Sequence, residues 1–318
     1  MMRMFALLLL MLAGCSPSSA PTVRVAINPW PGYELLYLAE QRGYFDKLGL
    51  DLDLIEVATL ADAQRAYLSN RVDGFTSTLI EVVQVGALGG KPAKVILAAD
   101  YSNGSDVIIA SREYDSLAAL KGKRIGCEVS SLGLYVLARA LAAHQLTLGD
   151  VIIVNVEQGS GFESMEKGQI QAMVTYPPYM LEFLENHNYR PVFTSAEIQY
   201  EILDVLSLSA EVTQAIPGLQ QKIWRGWQMA LDDYRQHPAE AIALMAARER
   251  VTAAEFTDAM AGIEMLDLTK QQLLFSRQNP LLKDAVLNVC RVLRDSEVMT
   301  EDCQQLAQAL PLWIDSDE

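Results

Sequence analysis

The sequence predicts an α/β fold in two similar lobes, and three observations carry that reading. First, residues 23–57, VRVAINPWPGYELLYLAEQRGYFDKLGLDLDLIEV, run strand, broken loop, helix, strand. A β-branched run opens the stretch, and two prolines and a glycine break it. Leu35, Leu36, Leu38, Ala39 and Phe45 then follow at mostly helical spacing. Adjacent parallel strands need such a crossover, so the unit demands a parallel sheet. Second, the pattern restarts at Lys123: KRIGC answers VRVAI, DVIIVNVE answers LDLDLIEV, and QIQAMVTY answers RVDGFTST. Third, two segments stand between the halves, AADYSNGSDVIIAS at 98–111 and IQYEILDVLSLSA at 198–210. Each is strand-like on both sides of a polar kink. One leaves the first lobe and one returns, which makes a hinge with a cleft between the lobes.

In chain order, the first half predicts strands over 23–27, 50–57, 72–76 and 94–99, with helices over 34–42, 60–69 and 79–88. The second half predicts strands over 123–128, 150–157 (fully buried), 170–176 and 191–195, and a helix over 135–144. A further helix follows Pro177-Pro178 to about Asn186. From Ile216 the chain reads as helices that pack back on the first lobe. The expected division is therefore lobe I over 22–103 plus 205–318 and lobe II over 104–204. In parallel sheets ligands gather at the carboxyl ends of strands, which places Asn28, Trp30 and Tyr33 at a site.

Composition bounds the partners. With 51% hydrophobic and 20% charged residues in 318, the chain is globular with a substantial core. A net charge of −15 argues against nucleic acid and against a polybasic grip on anionic lipid. The N-terminus has an early Arg3, an apolar run from Phe5 to Leu12 and then small residues, the layout of a secretory leader. Its end, Leu12-Ala13-Gly14-Cys15, resembles the lipobox of bacterial lipoproteins. That resemblance implies a signal peptide over 1–14, a thioether lipid on Cys15 and acylation (palmitate class) of the new N-terminus. A lipidated tether over 15–21 would follow, on a cell-envelope protein facing the periplasm and, in a Gram-negative host, favouring the outer membrane. Of the other cysteines, Cys127 reads as a core thiol. Cys290 and Cys303 lie on consecutive helical segments and either pair or stay as buried thiols.

Taken together, VRVAINPWPGYELLYLAEQRGYFDKLGLDLDLIE, VDGFTST, ADYSNGSDVIIAS and LAALKGKRIGCEVSSLGLYVLARAL resemble the substrate-binding proteins of ABC importers in the nitrate, sulfonate and taurine group. That group also contains binders of the thiamine pyrimidine. The resemblance spans nearly the whole mature chain. It implies a type II periplasmic-binding-protein fold, a small-molecule ligand trapped between the lobes, and delivery to an ABC permease and its ATPase. It also implies ligand contacts from five places: Asn28, Trp30 and Tyr33 after the first strand; Thr76, Ser77 and Thr78; Asp100, Tyr101 and Ser102 in the first crossing; Ser130 and Ser131 at a helix start; and Thr175 and Tyr176. A monomer, no cofactor and no metal are expected. Eukaryotic pyrimidine synthases of this fold carry a cysteine-rich motif that is lacking here, which argues against an enzyme.

Each candidate also has a plainer reading. Trp30 and Tyr33 wall the cleft or serve the turn made by Pro29, Pro31 and Gly32. Tyr101 and Tyr176 contact ligand or pack between the lobes. Asp100 and Asp106 receive a cationic group or pin the hinge by structural hydrogen bonds. Glu81 reads as a charge compensating a helix dipole. The three histidines, His144, His187 and His237, read as exposed element ends. No His or Cys pair has zinc spacing, and no hydrolase motif occurs. The loops carry no Arg or Lys, so a sulfonate or nitrate would rely on backbone N–H groups and helix N-termini. The aromatic set instead leans toward a flat heterocycle or an amine, and a ligand-sensing receptor feeding a membrane sensor is a further alternative.

Overall fold

The computed structural model describes residues 21–276 and 278–310. The expected leader over 1–14, the lipid-bearing Cys15 and tether residues 16–20 lie outside the described residues.

Lobe I carries strands β1 (Val23–Ile27), β2 (Leu52–Glu56), β3 (Gly74–Thr78) and β4 (Ala93–Ser102). Its first helices are α1 (Glu34–Gln41), α2 (Tyr44–Lys47), α3 (Leu60–Leu68) and α4 (Leu79–Ala87). The chain then crosses into β5 (Val107–Ser111) of lobe II, followed by β6 (Arg124–Cys127), α5 (Leu132–Ala143), β7 (Ile152–Asn155), α6 (Gly161–Glu166), β8 (Ala172–Thr175), α7 (Tyr179–Leu184) and β9 (Tyr189–Thr194). It returns through β10 (Leu203–Ser209) to α8 (Ala210–Ala215), α9 (Leu219–Gln236), α10 (Pro238–Glu249) and α11 (Ala253–Met260). The described chain closes with β11 (Ile263–Met265), α12 (Leu268–Leu274), α13 (Leu281–Asp295) and α14 (Cys303–Ala309).

The two sheets share one plan. Their orders are β11-β4-β10-β3-β1-β2 and β7-β6-β8-β5-β9. In each, three neighbouring strands are parallel: β2-β1-β3 in lobe I and β7-β6-β8 in lobe II. In each, the strand arriving from the other lobe slots in antiparallel, β10 beside β3 and β5 beside β8. Each crossing thus buries its incoming strand inside the receiving sheet. At the hinge the hydroxyls of Ser102 and Ser195 lie 2.8 Å apart, and the Ser195 N–H donates to the Asp106 carbonyl at 2.8 Å.

Several elements differ from the sequence reading. The strand expected to be fully buried at 150–157 is an edge strand, and Ile152 is 53% exposed. Its apolar run reads like a central strand, but only β6 pairs with it. The segment before β10 is a 3-10 turn at Ser195–Ile198 and a kink with Tyr200 at φ 62°, not a second strand. The helix expected from Tyr135 begins at Leu132, and β11 is too short to read from periodicity.

The C-terminal helices build the outer layer of lobe I. The indole N–H groups of Trp224 and Trp227 on α9 donate to the carbonyls of Ile96 and Leu266, both at 2.7 Å, giving two buried rings the partners they need. A disulfide joins Cys290 of α13 to Cys303 of α14, thirteen residues apart. Replacing both by serine is expected to lower stability by about 3 kcal/mol, the loop-closure value for a ring of this size. Urea denaturation under non-reducing conditions measures it, and an unchanged midpoint would refute it. No helix among the described residues is long and apolar enough to cross a membrane.

Candidate ligand cleft

The loop after β1 sets the floor of the cleft. Trp30 is extended, Pro31 opens a 3-10 turn over residues 31–33, and the turn runs straight into α1. This swings the Trp30 and Tyr33 rings inward, where both are buried. Gly32 makes the turn possible. A Cβ there would lie 2.0 Å from Asp100 Oδ2 and 2.4 Å from Trp30 Nε1. Gly32→Ala is therefore expected to push the Asp100 carboxyl and the indole apart and abolish ligand-induced stabilisation, measured by thermal shift with a ligand of the wild type. A variant that binds normally would show that this packing is dispensable.

Strand pairing then assembles an acidic face. The β10–β4 register sets Asp204 directly opposite Asp100, and both are buried. Like charges directly opposite destabilise a sheet, so the pair must share a proton or a cation. The Trp30 indole N–H donates to Asp100 Oδ2 at 3.3 Å, and the Tyr33 hydroxyl donates to Asp204 Oδ1 at 2.5 Å. Asp100 Oδ1 and Asp204 Oδ2 have no donor among the described residues when both carboxyls are ionised; a proton held between the two satisfies them. Asp106, just past the first crossing, adds a third buried carboxyl.

Burial governs the titration. It pushes Asp100 up to about 8, against the pull of the Trp30 N–H, with the Asp106 charge adding to the rise. Burial also pushes Asp106 up to about 7, opposed by the Ser102 hydroxyl. Asp204 rises well above the carboxylate range, through burial first and the Asp100 and Asp106 charges next. From lobe II, Glu128 at the end of β6 is pushed up by burial to about 7.

Lobe II closes over this face. Asn28, Trp30, Tyr33, Asp106 and Asp204 line a small cavity of about 10 Å³, room for about one water, with Tyr176 and Leu132 from lobe II and Leu60. Trp30 and Tyr176 meet edge to face, their ring centroids 6.1 Å apart. The Tyr176 hydroxyl and Thr175 Oγ1 have no hydrogen-bond partner among the described residues. None of the lining residues is basic. A wider recess, lined by Pro29, Ala58, Tyr179 and Arg248 among others, has a volume of about 410 Å³. Its Arg248 is engaged by Glu34 and Glu56, and a second arginine, the exposed Arg250, also lines this recess. Across this mouth the Tyr179 hydroxyl donates to the Ala58 carbonyl at 2.6 Å.

The structure thus brings Asn28, Trp30, Tyr33 and Tyr176 together, with Asp100 behind Trp30. Thr76 positions Asn28, its hydroxyl 3.3 Å from Asn28 Oδ1. Ser77 is buried, its hydroxyl without a partner among the described residues, Thr78 caps α4, and Ser102 belongs to the hinge. Tyr101 points to the other face of β4 and packs edge to face on Tyr200, because side chains alternate along a strand. Ser130 is exposed, and Ser131 donates to Glu81. Asp204 is the residue that sequence reading missed. A lone acid inside the apolar run ILDVLSLS was the available signal. Among the described residues no group of His, Cys, Asp or Glu is arranged to hold a metal ion.

Two sheets hinged by two crossings, with a closed aromatic cavity at their facing strand ends, define the periplasmic-binding-protein fold. The solved structures agree. The alkanesulfonate-binding protein SsuA of Xanthomonas axonopodis pv. citri superposes with a TM-score of 0.77 at 16% identity, covering 92% of this chain and 99% of that one. The periplasmic nitrate-binding protein NrtA of Synechocystis PCC 6803 gives 0.70 at 12% identity, covering 91% and 85%. The sequence profile of the family described as NMT1/THI5 like matches residues 30–241, and the chain belongs to that family. It is also similar to a protein named for thiamine biosynthesis in Haemophilus influenzae, 29% identical over 45% of this chain and 46% of the other. A protein named as a binding protein in Brucella abortus is 31% identical over 55% and 58%. The chain spans about half the length of these curated relatives.

Proposed function

We propose that this protein is an extracytoplasmic solute receptor that captures a small molecule between its lobes and delivers it to an ABC importer. The ligand we propose is a protonated amine or an amino-substituted nitrogen heterocycle. One observation carries the ligand class: the cavity joins three aromatic rings to the carboxyls of Asp106 and Asp204, has Asp100 behind Trp30, and has no basic lining residue. Flat rings suit a heterocycle, and carboxyls take N–H donors and positive charge. A nitrate or sulfonate would meet buried carboxyls with no cation to offset them, which disfavours the anionic ligands of the structural neighbours.

The mechanism is capture by closure. Ligand binds the open form against the Trp30–Tyr33 floor, the hinge between β4 and β5 closes, and Tyr176 completes the wall. Only differential affinity for the closed form drives this, so no covalent step is needed. Lipid on Cys15 would hold the receptor at the membrane, where avidity for its permease is highest. Titration calorimetry of the full mature chain tests the reading, with a panel of primary amines, aminopyrimidines, nitrate, taurine and alkanesulfonates. The expected result is one-to-one binding of an amine or aminoheterocycle without turnover. Tight binding of nitrate or a sulfonate, with the amines inert, would overturn the ligand class, and steady turnover would overturn the receptor role.

A further inference from the structure

Glu81 is a buried carboxylate that the capture mechanism leaves unused. It sits in the first turn of α4, in lobe I, and its side chain reaches two helix starts at once. Oε2 accepts from the Thr78 N–H at 2.9 Å and the Thr78 hydroxyl at 2.6 Å, closing a capping box on its own helix. Oε1 accepts from the Ser131 hydroxyl at 2.6 Å and the Leu132 N–H at 2.8 Å, which are the N-terminus of α5 in lobe II. The four donors fill the four lone-pair sites of a carboxylate.

The arrangement at α5 is unusual in one respect. Ser131 stands at its N-cap, yet its hydroxyl makes no capping bond to its own helix, and the first turn holds no acidic residue. The twelve-residue helix therefore takes its negative charge from the opposite lobe. A helix N-terminus with free N–H groups and a serine hydroxyl is an anion site. Here a side chain of the chain itself is the anion.

We propose that Glu81 is the specificity-determining residue of the cleft, an internal anion that bridges the lobes and occupies the place where an anionic ligand would be held. Closure then needs no negative group on the ligand, and a ligand that carries one competes with Glu81. This rests on the reading of the cleft as a solute-capture site, and its test uses probes that are independent of the amine.

The test combines two variants with simple anions. Glu81→Gln has one acceptor oxygen where the carboxylate has two, so it cannot accept at both helix starts at once and the bridge is weakened. Small-angle scattering without added solute is expected to show a larger radius of gyration for Glu81→Gln than for wild type. Glu81→Ala empties the anion position, and sodium formate should refill it. Formate at saturation is expected to raise the Tm of Glu81→Ala by about 3 °C over sodium chloride of equal ionic strength, with no such rise for wild type. Ser131→Ala removes a lobe II donor without touching the α4 cap and should open the protein in scattering, which keeps the test decisive if Glu81→Ala does not fold. Equal formate responses in wild type and variant, or unchanged scattering in both Glu81→Gln and Ser131→Ala, would overturn the proposal. Amine binding that survives such a result leaves the ligand class standing, and an inert amine panel with formate rescue intact removes the ligand class alone.

Discussion

Asp204→Asn is expected to weaken capture of a protonated amine by roughly 30-fold to several thousand-fold, the range for removing one partner of a buried charged contact, ~2–5 kcal/mol. The same substitution should leave the ligand-free protein as stable as wild type or more so. Asp204 faces Asp100 across β10 and β4, and both are fully buried. An amide at this position donates a hydrogen bond to the Asp100 carboxyl and removes the need for a shared proton. A gain of about 1 kcal/mol would raise Tm by roughly 1.5 °C in a chain of this length. Calorimetry and thermal melts read the two effects separately. Loss of affinity together with loss of fold would mark Asp204 as structural, and unchanged affinity would remove it from the site. The expected split, weaker binding with retained or raised stability, is the signature of groups kept for function at a cost to the fold.

Ligand-free stability should fall as pH rises from about 4 to 8, and amine affinity should rise over the same interval. The sign follows from the direction of the shifts. Asp100 moves from 3.8 to about 8 and Asp106 from 3.8 to about 7, so between those values the folded state binds more protons than the unfolded chain. Stability then declines with pH until the folded-state values are passed. Glu34 and Glu128, each raised by burial to about 7, act in the same direction. The exposed Asp150, Glu163 and Glu255, lowered by hydrogen bonds and neighbouring charge, act oppositely, but only in the window at and below the usual carboxylate range. A bound cation favours the ionised carboxyls, so binding releases protons near neutral pH. Melting curves at pH 5 and 8.5 should show a lower Tm at the higher pH, with the decline reduced in Asp100→Asn. Calorimetry in buffers of different ionisation enthalpy should show proton release on binding. A Tm that climbs through this interval, or binding without proton release, would contradict the acidic-face reading.

Much of the fold was legible in the sequence because its signals are local. VRVAI and VIIAS carry the β-branched runs of strands, LDLIE carries alternation, and the Leu and Ala spacing of α1 and α5 carries helical periodicity. Repetition of that order from Lys123 foretold the shared plan of the two sheets. The loop NPWPGY stood out because it leaves the carboxyl end of a strand in a parallel sheet, and its Asn28, Trp30 and Tyr33 line the cavity. The edge position of β7 was not legible, since burial of a strand depends on its neighbours and an apolar run reads the same at the edge as in the centre.

Residue pairing was the part that the order of residues could not specify. Asp100 and Asp204 are separated by about a hundred residues, and only the antiparallel insertion of β10 beside β4 sets them face to face. Their perturbed titration is a property of that pairing and of burial, and neither is written in either residue's neighbourhood. Ser131 read as a donor poised for a ligand, because a serine at a helix start is a local signal. Folding gave that donor to Glu81, fifty residues earlier in the chain. Strands, helices, the two-lobed order and the aromatic loop after β1 follow from patterns local in the chain, recorded by hydrophobic periodicity and turn residues. The tertiary structure decided which carboxyls meet, which are already spent on the protein's own helices, and therefore what charge the cleft has left to offer, because electrostatics in a dry interior depends on distance and burial.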